Sequence, residues 1–374
     1  MIQQKKEKAG FLYMDISLLF PALLLAGIGI VMVYSASSHI AVERFADDAY
    51  FLKRQTIFLV IGLFVMFACR YVTYKMFRVL AYLMLVAAFA CLGMLYINGL
   101  GYAAGGATRW LHIGPFSFQP SVFAKLALIV YLAYSLNKKK EKVAHFSIGF
   151  LPHLLVFGAF SVLIFMQPDF GSVVIFGAIT WTMLFVAGVR PVHLFSSFIF
   201  LLPLAIYYMV NAEYRLKRLI SFLDPWSFRT AEGYQVVHSL MAFGTGGVWG
   251  TGIGQGYQKL FYLPEPHTDF IFSVLGEELG LLGVLAVLCL YFVILWRGIV
   301  IAKRARDMFG RMVALGLTAA ISFQVFVNMG VAVGILPTKG LTLPFLSYGG
   351  TSLLFNMAAI GILMNIGQQE DDDR

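Results

Sequence analysis

Stretches of about twenty apolar residues recur along this chain between short polar breaks, and that pattern leaves few folds open. The runs cover 14–34, 55–70, 77–97, 121–136, 148–166, 172–188, 193–212, 269–296, 311–333 and 351–367. Backbone groups left unpaired in hydrocarbon cost several kcal/mol each, so such runs cross a bilayer as helices or close into a barrel. Barrel strands alternate residue by residue, and uninterrupted apolar runs exclude them. The expected fold is therefore an all-α polytopic membrane protein with about ten transmembrane helices, a single domain over 1–374.

Composition agrees. Of 374 residues, 60% are hydrophobic and 13% charged, and the mean hydropathy is +0.80, whereas soluble domains carry about 25% charge. A soluble enzyme, a disulfide scaffold and a disordered tail protein are excluded. Cys69, Cys91 and Cys289 lie in or beside apolar runs and read as small buried side chains, with no disulfide framework or thiolate metal site. The first run, Ile16–Tyr34, exceeds a signal-peptide core and lacks a small-residue cleavage site, so it reads as a retained helix.

Lysine and arginine placement gives the orientation. With the N-terminus inside, the inner segments hold seventeen of them, against five in the short outer loops: Arg44, Lys53, Arg54, Arg109 and Lys339. Both termini are expected in the cytoplasm, with 368–374 a solvated acidic tail. The net charge of +9 is then mostly a topology signal. Nucleic-acid binding is not expected, because no clustered basic face with accessible aromatics is present.

Residues 213–268 form an outer loop between helices 7 and 8 that is far longer than any other connection. Loops of that length are functional or disordered, and Trp226, Tyr234, Trp249, Tyr257, Phe261 and Tyr262 argue against disorder. Surface-lying helices and re-entrant pieces are expected there. No internal repeat is evident, which weakens an inverted-repeat transporter reading.

Four outer elements could carry chemistry. In Tyr262-Leu-Pro-Glu-Pro-His267-Thr268-Asp269, two prolines force an extended approach, and Thr268 or Asp269 could cap the eighth helix. Glu277 follows eight residues on, about 12 Å deeper. Carboxylates at such depth face a cavity or a cation, and an ion pair within the fold would equally explain Glu277 and Glu278. Arg109 and Lys125 flank the start of the fourth helix, and Lys125, inside an apolar run, must snorkel or find a partner. Lys339 and Ser347 lie in a loop of prolines, glycines and hydroxyls leading into the tenth helix, either a tight turn or an anion site. Asp169, in Gln167-Pro-Asp-Phe-Gly171, is a turn or N-cap residue or a site residue. Carboxylates beside cations and amide donors suit a substrate with a pyrophosphate and sugar hydroxyls. They suit an ion-coupled transporter equally well.

These segments, with Gly233-Tyr-Gln-Val-Val-His-Ser-Leu-Met-Ala-Phe-Gly-Thr-Gly-Gly247, Gly-Ala-Thr-Arg109-Trp and Leu336-Pro-Thr-Lys-Gly-Leu-Thr-Leu-Pro-Phe-Leu-Ser-Tyr-Gly-Gly350, resemble the signatures of the SEDS proteins (shape, elongation, division and sporulation) over nearly the whole chain. The forms of the Asp269 and Lys339 motifs look closer to the division members than to the elongation members. The resemblance implies a peptidoglycan glycosyltransferase that polymerises lipid II at the outer face of the bacterial cytoplasmic membrane, at the division septum. It further implies a class B penicillin-binding protein as transpeptidase partner and other divisome membrane proteins. That partner is expected to pack its outer domain on the 213–268 loop.

Carried over residue by residue, Asp269 matches the family's essential aspartate, Lys339 and Arg109 match basic functional positions, and Glu277 matches the acidic position after the aspartate. Arg109, Lys125, Asp169, His267, Thr268, Glu277, Lys339 and Ser347 make up the candidate substrate-binding set. Lipid II is α-linked and its polymer β-linked, so transfer inverts and needs a base on the attacking 4-hydroxyl. Asp269 takes that role. The pyrophosphate leaving group calls for positive charge more than for a proton donor. No tightly bound cofactor is expected, a divalent cation (Mg²⁺ or Mn²⁺) being the one allowance. The rival classes are a lipid II flippase, which needs a polar path across the bilayer, and a scaffold that only recruits the transpeptidase.

Overall fold

The computed structural model describes residues 15–371 apart from 98–99, 105–106, 114–115, 212 and 262. The polar N-terminal stretch with Lys5, Lys6 and Lys8, the last residues 372–374 and Tyr262 lie outside the described residues.

The apolar runs fold as α1 (Ile16–Phe45), α2 (Tyr50–Tyr71), α3 (Lys75–Met94), α4 (Pro120–Lys139), α5 (Leu151–Phe165), α6 (Phe170–Val186) and α7 (Pro191–Val210). After α8 (Glu213–Leu223), α9 (Tyr234–Gly246) and α10 (Gln258–Phe261) come α11 (Ile271–Arg304), α12 (Met308–Ala332) and α13 (Gly350–Asp371). Pro120 and Pro191 open their helices, where a missing N–H costs nothing. Asp307 caps α12 by accepting from Gly310 N at 3.1 Å. Among the described residues eight helices are long and apolar enough to cross a membrane, while Phe170–Val186 and Pro191–Pro203 are shorter apolar helices on the sixth and seventh expected runs.

Three expected boundaries are corrected. α1 runs on to Phe45, α11 to Arg304 and α13 to Asp371, into the tail expected from 368, because the helical hydrogen bonds continue past the point where polar residues end the apolar run. α11 is also not one straight rod: Gly280 breaks it at φ +63°. A β-carbon there would lie 2.3 Å from Gly250 N, so only glycine lets the 247–252 backbone lie against the break.

The chain also departs from a purely helical reading. β1 (Gly101–Ala104), β2 (Ala107–Ile113) and β3 (Phe116–Phe118) form a small antiparallel sheet in the order β1-β2-β3, with Tyr102 opposite Trp110 and Leu111 opposite Phe118. Its sequence signal is local: Gly105-Gly106 and Gly114-Pro115 separate three short stretches rich in aromatic and β-branched residues.

α4, α12 and α13 form the centre, with Leu128, Ile129, Val130 and Leu132 of α4 fully buried. Small residues let the helices approach. A β-carbon on Gly316 would fall 2.5 Å from Ile129 Cγ2, and one on Gly361 would fall 2.2 Å from the Met66 carbonyl oxygen. α3 and α7 sit outside, exposing Val79 and Phe200 as lipid-facing helices do. α8 lies on the surface. α9 instead sinks against α11, where Gly246 meets the Gly276 carbonyl.

Candidate active site

The segment 265–270, the strand β2, the loop between α12 and α13 and the helices α1, α2 and α4 close around a cleft of about 890 Å³ at one end of the bundle. Asp269 stands in its wall with His267, Thr268, Arg109, Lys125 and Lys339. The backbone beneath it is pinned at three consecutive carbonyls. His267 O accepts from Tyr348 N at 2.9 Å, Thr268 O from Ser347 Oγ at 2.6 Å and Asp269 O from Asn328 Nδ2 at 2.9 Å. Each contact is made by a group of α12 or of the loop before α13. A short segment that belongs to no helix is thereby held as firmly as one, as precise chemistry requires.

The Asp269 carboxylate itself accepts no hydrogen bond from the described residues. It faces Arg109 across Gly340: a β-carbon on Gly340 would lie 3.3 Å from Asp269 Oδ2 and 3.8 Å from Arg109 Nη1. Glycine at 340 thus keeps the space between acid and base open. Arg109 is aimed by two carbonyls, its Nη2 donating to Pro168 O at 2.7 Å and its Nε to Gln167 O at 3.3 Å. Lys339 sits with its ammonium 4.5 Å from the centre of the Phe170 ring.

Asp269 and Thr268 do not cap α11, contrary to one expectation. The N-cap position is Phe270, without a side-chain hydrogen bond, and Thr268 Oγ1 turns back to donate to Glu265 O at 3.3 Å. The carboxylate is left to the cleft because its own main chain is already held. Asp169 does what the bland reading of its motif gave it, capping α6 by accepting from Ser172 N at 3.2 Å and Ser172 Oγ at 2.6 Å. It acts on the cleft only through its charge. Ser347 faces the pinned segment and reaches the cleft only through it, also accepting from Leu343 N at 2.7 Å.

Lys125 is buried and finds its partner in Gln324 Oε1 at 2.7 Å, with the Phe355 ring 4.5 Å from its ammonium. Gln324 in turn donates to Thr342 O at 2.8 Å, so the lysine, α12 and the α12–α13 loop are fastened together.

Glu277 is not brought to this cleft. Its carboxylate accepts from Tyr257 N at 2.8 Å and Gln258 N at 3.2 Å. Glu278 pairs with Lys259 at 2.5 Å and accepts from Ser35 Oγ at 2.7 Å and Gly254 N at 3.1 Å. Both acids hold the 250–259 segment to α11, which is the structural reading of the pair.

Sequence reasoning missed Gln324 and Asn328, Tyr348, and the arginines Arg44, Arg54 and Arg218 that line the cleft. The first two were detectable as polar residues one turn apart inside an apolar helix. Arg44 and Arg54 were read only as topology signals.

Burial pushes the Asp269 carboxyl up from 3.8 to about 7; the charges of Glu265 and Asp169 add to the rise, and Arg109 opposes it. Burial, aided by Arg44, pushes His267 down to about 4 and keeps it neutral. A folded-state pKa above the unfolded one means that the folded protein binds the extra proton between about pH 4 and 7, so stability falls as pH rises through that window. Asp269→Asn carries no such penalty. In micelles it is expected to melt above the wild type at pH 8, by ~1–3 kcal/mol after allowing for the carboxyl's partial exposure, and the gap closes near pH 4. An equal or lower melting point at pH 8 would contradict the penalised carboxylate.

Comparison with known proteins places this geometry. Residues 16–372 match the model of the FtsW/RodA/SpoVE family, described as cell cycle protein. The chain is 44% identical over 352 residues to a probable peptidoglycan glycosyltransferase FtsW of Geobacter metallireducens, covering 94% of each chain. It is 44% identical over 355 residues to the stage V sporulation protein E of Bacillus subtilis, covering 95% of this chain and 97% of that one. Among solved structures it is similar to a chain of a peptidoglycan synthase complex that coordinates polymerization and crosslinking (TM-score 0.79, 28% identity, 96% and 99% covered). It is likewise similar to the rod shape determining protein RodA of Thermus thermophilus (TM-score 0.70, 27% identity, 96% and 98% covered). The chain is a multi-pass membrane protein of the SEDS class. It belongs to the FtsW/RodA/SpoVE family of cell cycle proteins, on the FtsW side of that family.

Proposed function

We propose that the cleft joins lipid II units into glycan strands at the outer face of the cytoplasmic membrane, with Asp269 as the general base. The chain is a peptidoglycan glycosyltransferase of cell-wall synthesis, the activity for which its FtsW relatives are named. The observation that carries the residue assignment is a carboxylate of raised pKa, on a pinned backbone, that faces a guanidinium across an open glycine.

The acceptor sugar's 4-hydroxyl oxygen forms a bond to C1 of the donor as the C1–O bond to pyrophosphate breaks. The electron pair leaves with the lipid pyrophosphate, and the hydroxyl proton passes to Asp269. A base with pKa near ambient pH suits that transfer. Arg109 and Lys339 supply fixed positive charge to the departing pyrophosphate, and charge in a water-poor cleft acts more strongly than in bulk water. Asp269 and Glu265, the carboxylates that line the cleft among the described residues, would hold a divalent cation, Mg²⁺ or Mn²⁺, which would add positive charge against the departing pyrophosphate. Thr268 and His267 line the cleft beside Asp269, and Lys125 holds its floor.

A class B penicillin-binding protein is the proposed transpeptidase partner, seated on the 213–268 face, with other divisome membrane proteins at the septum. The related synthase complex couples polymerization to crosslinking, which supports such a pairing.

The test uses purified protein in liposomes with lipid II, a divalent cation and, in a second arm, the penicillin-binding partner. Polymer is expected on a gel. Lipid II that crosses the bilayer with no polymer in either arm overturns the assignment in favour of a flippase.

A further inference from the structure

Cations line two regions of the cleft, and only one of them faces Asp269. Arg109 and Lys339 stand on the side of the 167–170 turn. Arg44 of α1 and Arg54 of α2 also line the cleft, Arg44 with its charge bearing on His267 and Arg54 hydrogen-bonded to the Tyr348 hydroxyl. Of the acids near them in sequence, Asp47 is engaged with Lys53 at 2.8 Å and Asp48 with the Tyr34 hydroxyl at 3.0 Å, while Glu43 adjoins Arg44 in the chain. Among the described residues neither Arg44 nor Arg54 is in an ion pair. Arg54 packs its guanidinium 4.9 Å from the centre of the Tyr50 ring, and the charge of Arg44 bears on His267.

His267 supplies the independent sign of a ligand. Its side chain is only 5% exposed, wedged between Phe51 and Tyr348 with ring centres 4.6 and 5.6 Å away. Its Nδ1 has no hydrogen-bond partner although the residue lines the cleft. A buried polar atom without a partner is costly unless something else satisfies it. Two cations outside any ion pair, aromatic walls and one unsatisfied ring nitrogen make a site for an oxyanion, with the Glu265 carboxylate 4.0 Å from the other ring nitrogen of His267.

Polymerisation gives such a site an occupant. The reaction joins two lipid-linked sugars, each carrying a pyrophosphate. One pyrophosphate departs beside Asp269, whereas the other stays bonded to the acceptor throughout. Two such anions on a single cluster of cations would repel one another strongly. Resting on the reading of the cleft as the polymerising centre, we propose that Arg44, Arg54 and His267 form a separate subsite that holds the acceptor's unreacted pyrophosphate. The segment 267–269 then serves both substrates, with His267 toward the acceptor's phosphates and Asp269 toward its hydroxyl.

The test separates donor from acceptor. The donor is a lipid II capped at its 4-hydroxyl, which can only give. The acceptor carries a carbon–phosphorus link at the anomeric carbon, so it can only receive. Single couplings are followed in liposomes while one substrate is varied and the other saturates. Arg44→Gln and Arg54→Gln, both at exposed positions, are expected to raise the acceptor's half-saturation by ~tenfold or more, with the donor's unmoved. An acceptor in which a neutral linker replaces the pyrophosphate should lose this sensitivity. A donor half-saturation that rises equally, or an acceptor half-saturation that stays put, overturns the subsite. A wild type that couples nothing overturns the reading of the cleft, and the subsite with it.

Discussion

Replacing Asp269 by asparagine is expected to lower polymerisation by ~10²–10⁴-fold, the usual contribution of a positioned general base. Asparagine keeps the shape and leaves the pinned backbone intact, because the three anchoring contacts go to carbonyls and not to the side chain. Loss of rate therefore reports the missing base and not a displaced loop. The pH profile gives a second readout. Asp269 must be ionised to accept a proton, and burial holds its pKa up at about 7, so the wild-type rate should climb with pH through that value. Glu265 raises that pKa by like charge, so Glu265→Gln should move the rise to lower pH. A variant Asp269→Asn within a few-fold of wild type, or a wild-type rate flat between pH 5.5 and 8, removes Asp269 from the role of base.

Much of this arrangement was legible before any coordinates. The apolar runs gave the helices, since hydrocarbon permits little else, and charges of opposite sign in the Arg109, Asp269 and Lys339 motifs marked the end of the bundle where the cleft lies. The rest depended on contacts that a linear pattern does not encode. Nothing in the Asp269 motif reveals that Asn328, fifty-nine residues later, takes up the Asp269 carbonyl and so frees the side chain from a capping role. Glu277 and Asp269 share one helix and its approach, and composition treats them alike. The bulge of the 250–259 segment against α11 claims Glu277 through backbone N–H groups, and a sequence gives no sign of which acid a loop will cover. The sheet of β1–β3 was overlooked for a different reason: strands of three to seven residues vanish in a window sized for membrane helices.

The acidic pair about two turns below Asp269 offers the sharpest contrast between structural and chemical carboxylates. Glu278 is 1% exposed and Lys259 5%, and the carboxylate also satisfies Ser35 Oγ and Gly254 N. Glu278→Ala leaves a buried ammonium without its counter-charge and a backbone N–H without its acceptor. Removing one partner of a buried pair typically destabilises by ~3–5 kcal/mol, and most of the folded protein is expected to be lost on extraction into detergent. The double variant Glu278→Gln, Lys259→Met removes both charges while the amide oxygen still accepts from Ser35 and Gly254. Its melting point should recover to within ~1 kcal/mol of the wild type, because an ion pair brought out of water returns little net stability. Polymerisation per folded molecule should recover with it, since neither side chain lines the cleft. A double variant that folds and melts like the wild type yet makes no polymer would show that the pair takes part in the chemistry, and that the cleft around Asp269 is incomplete without it.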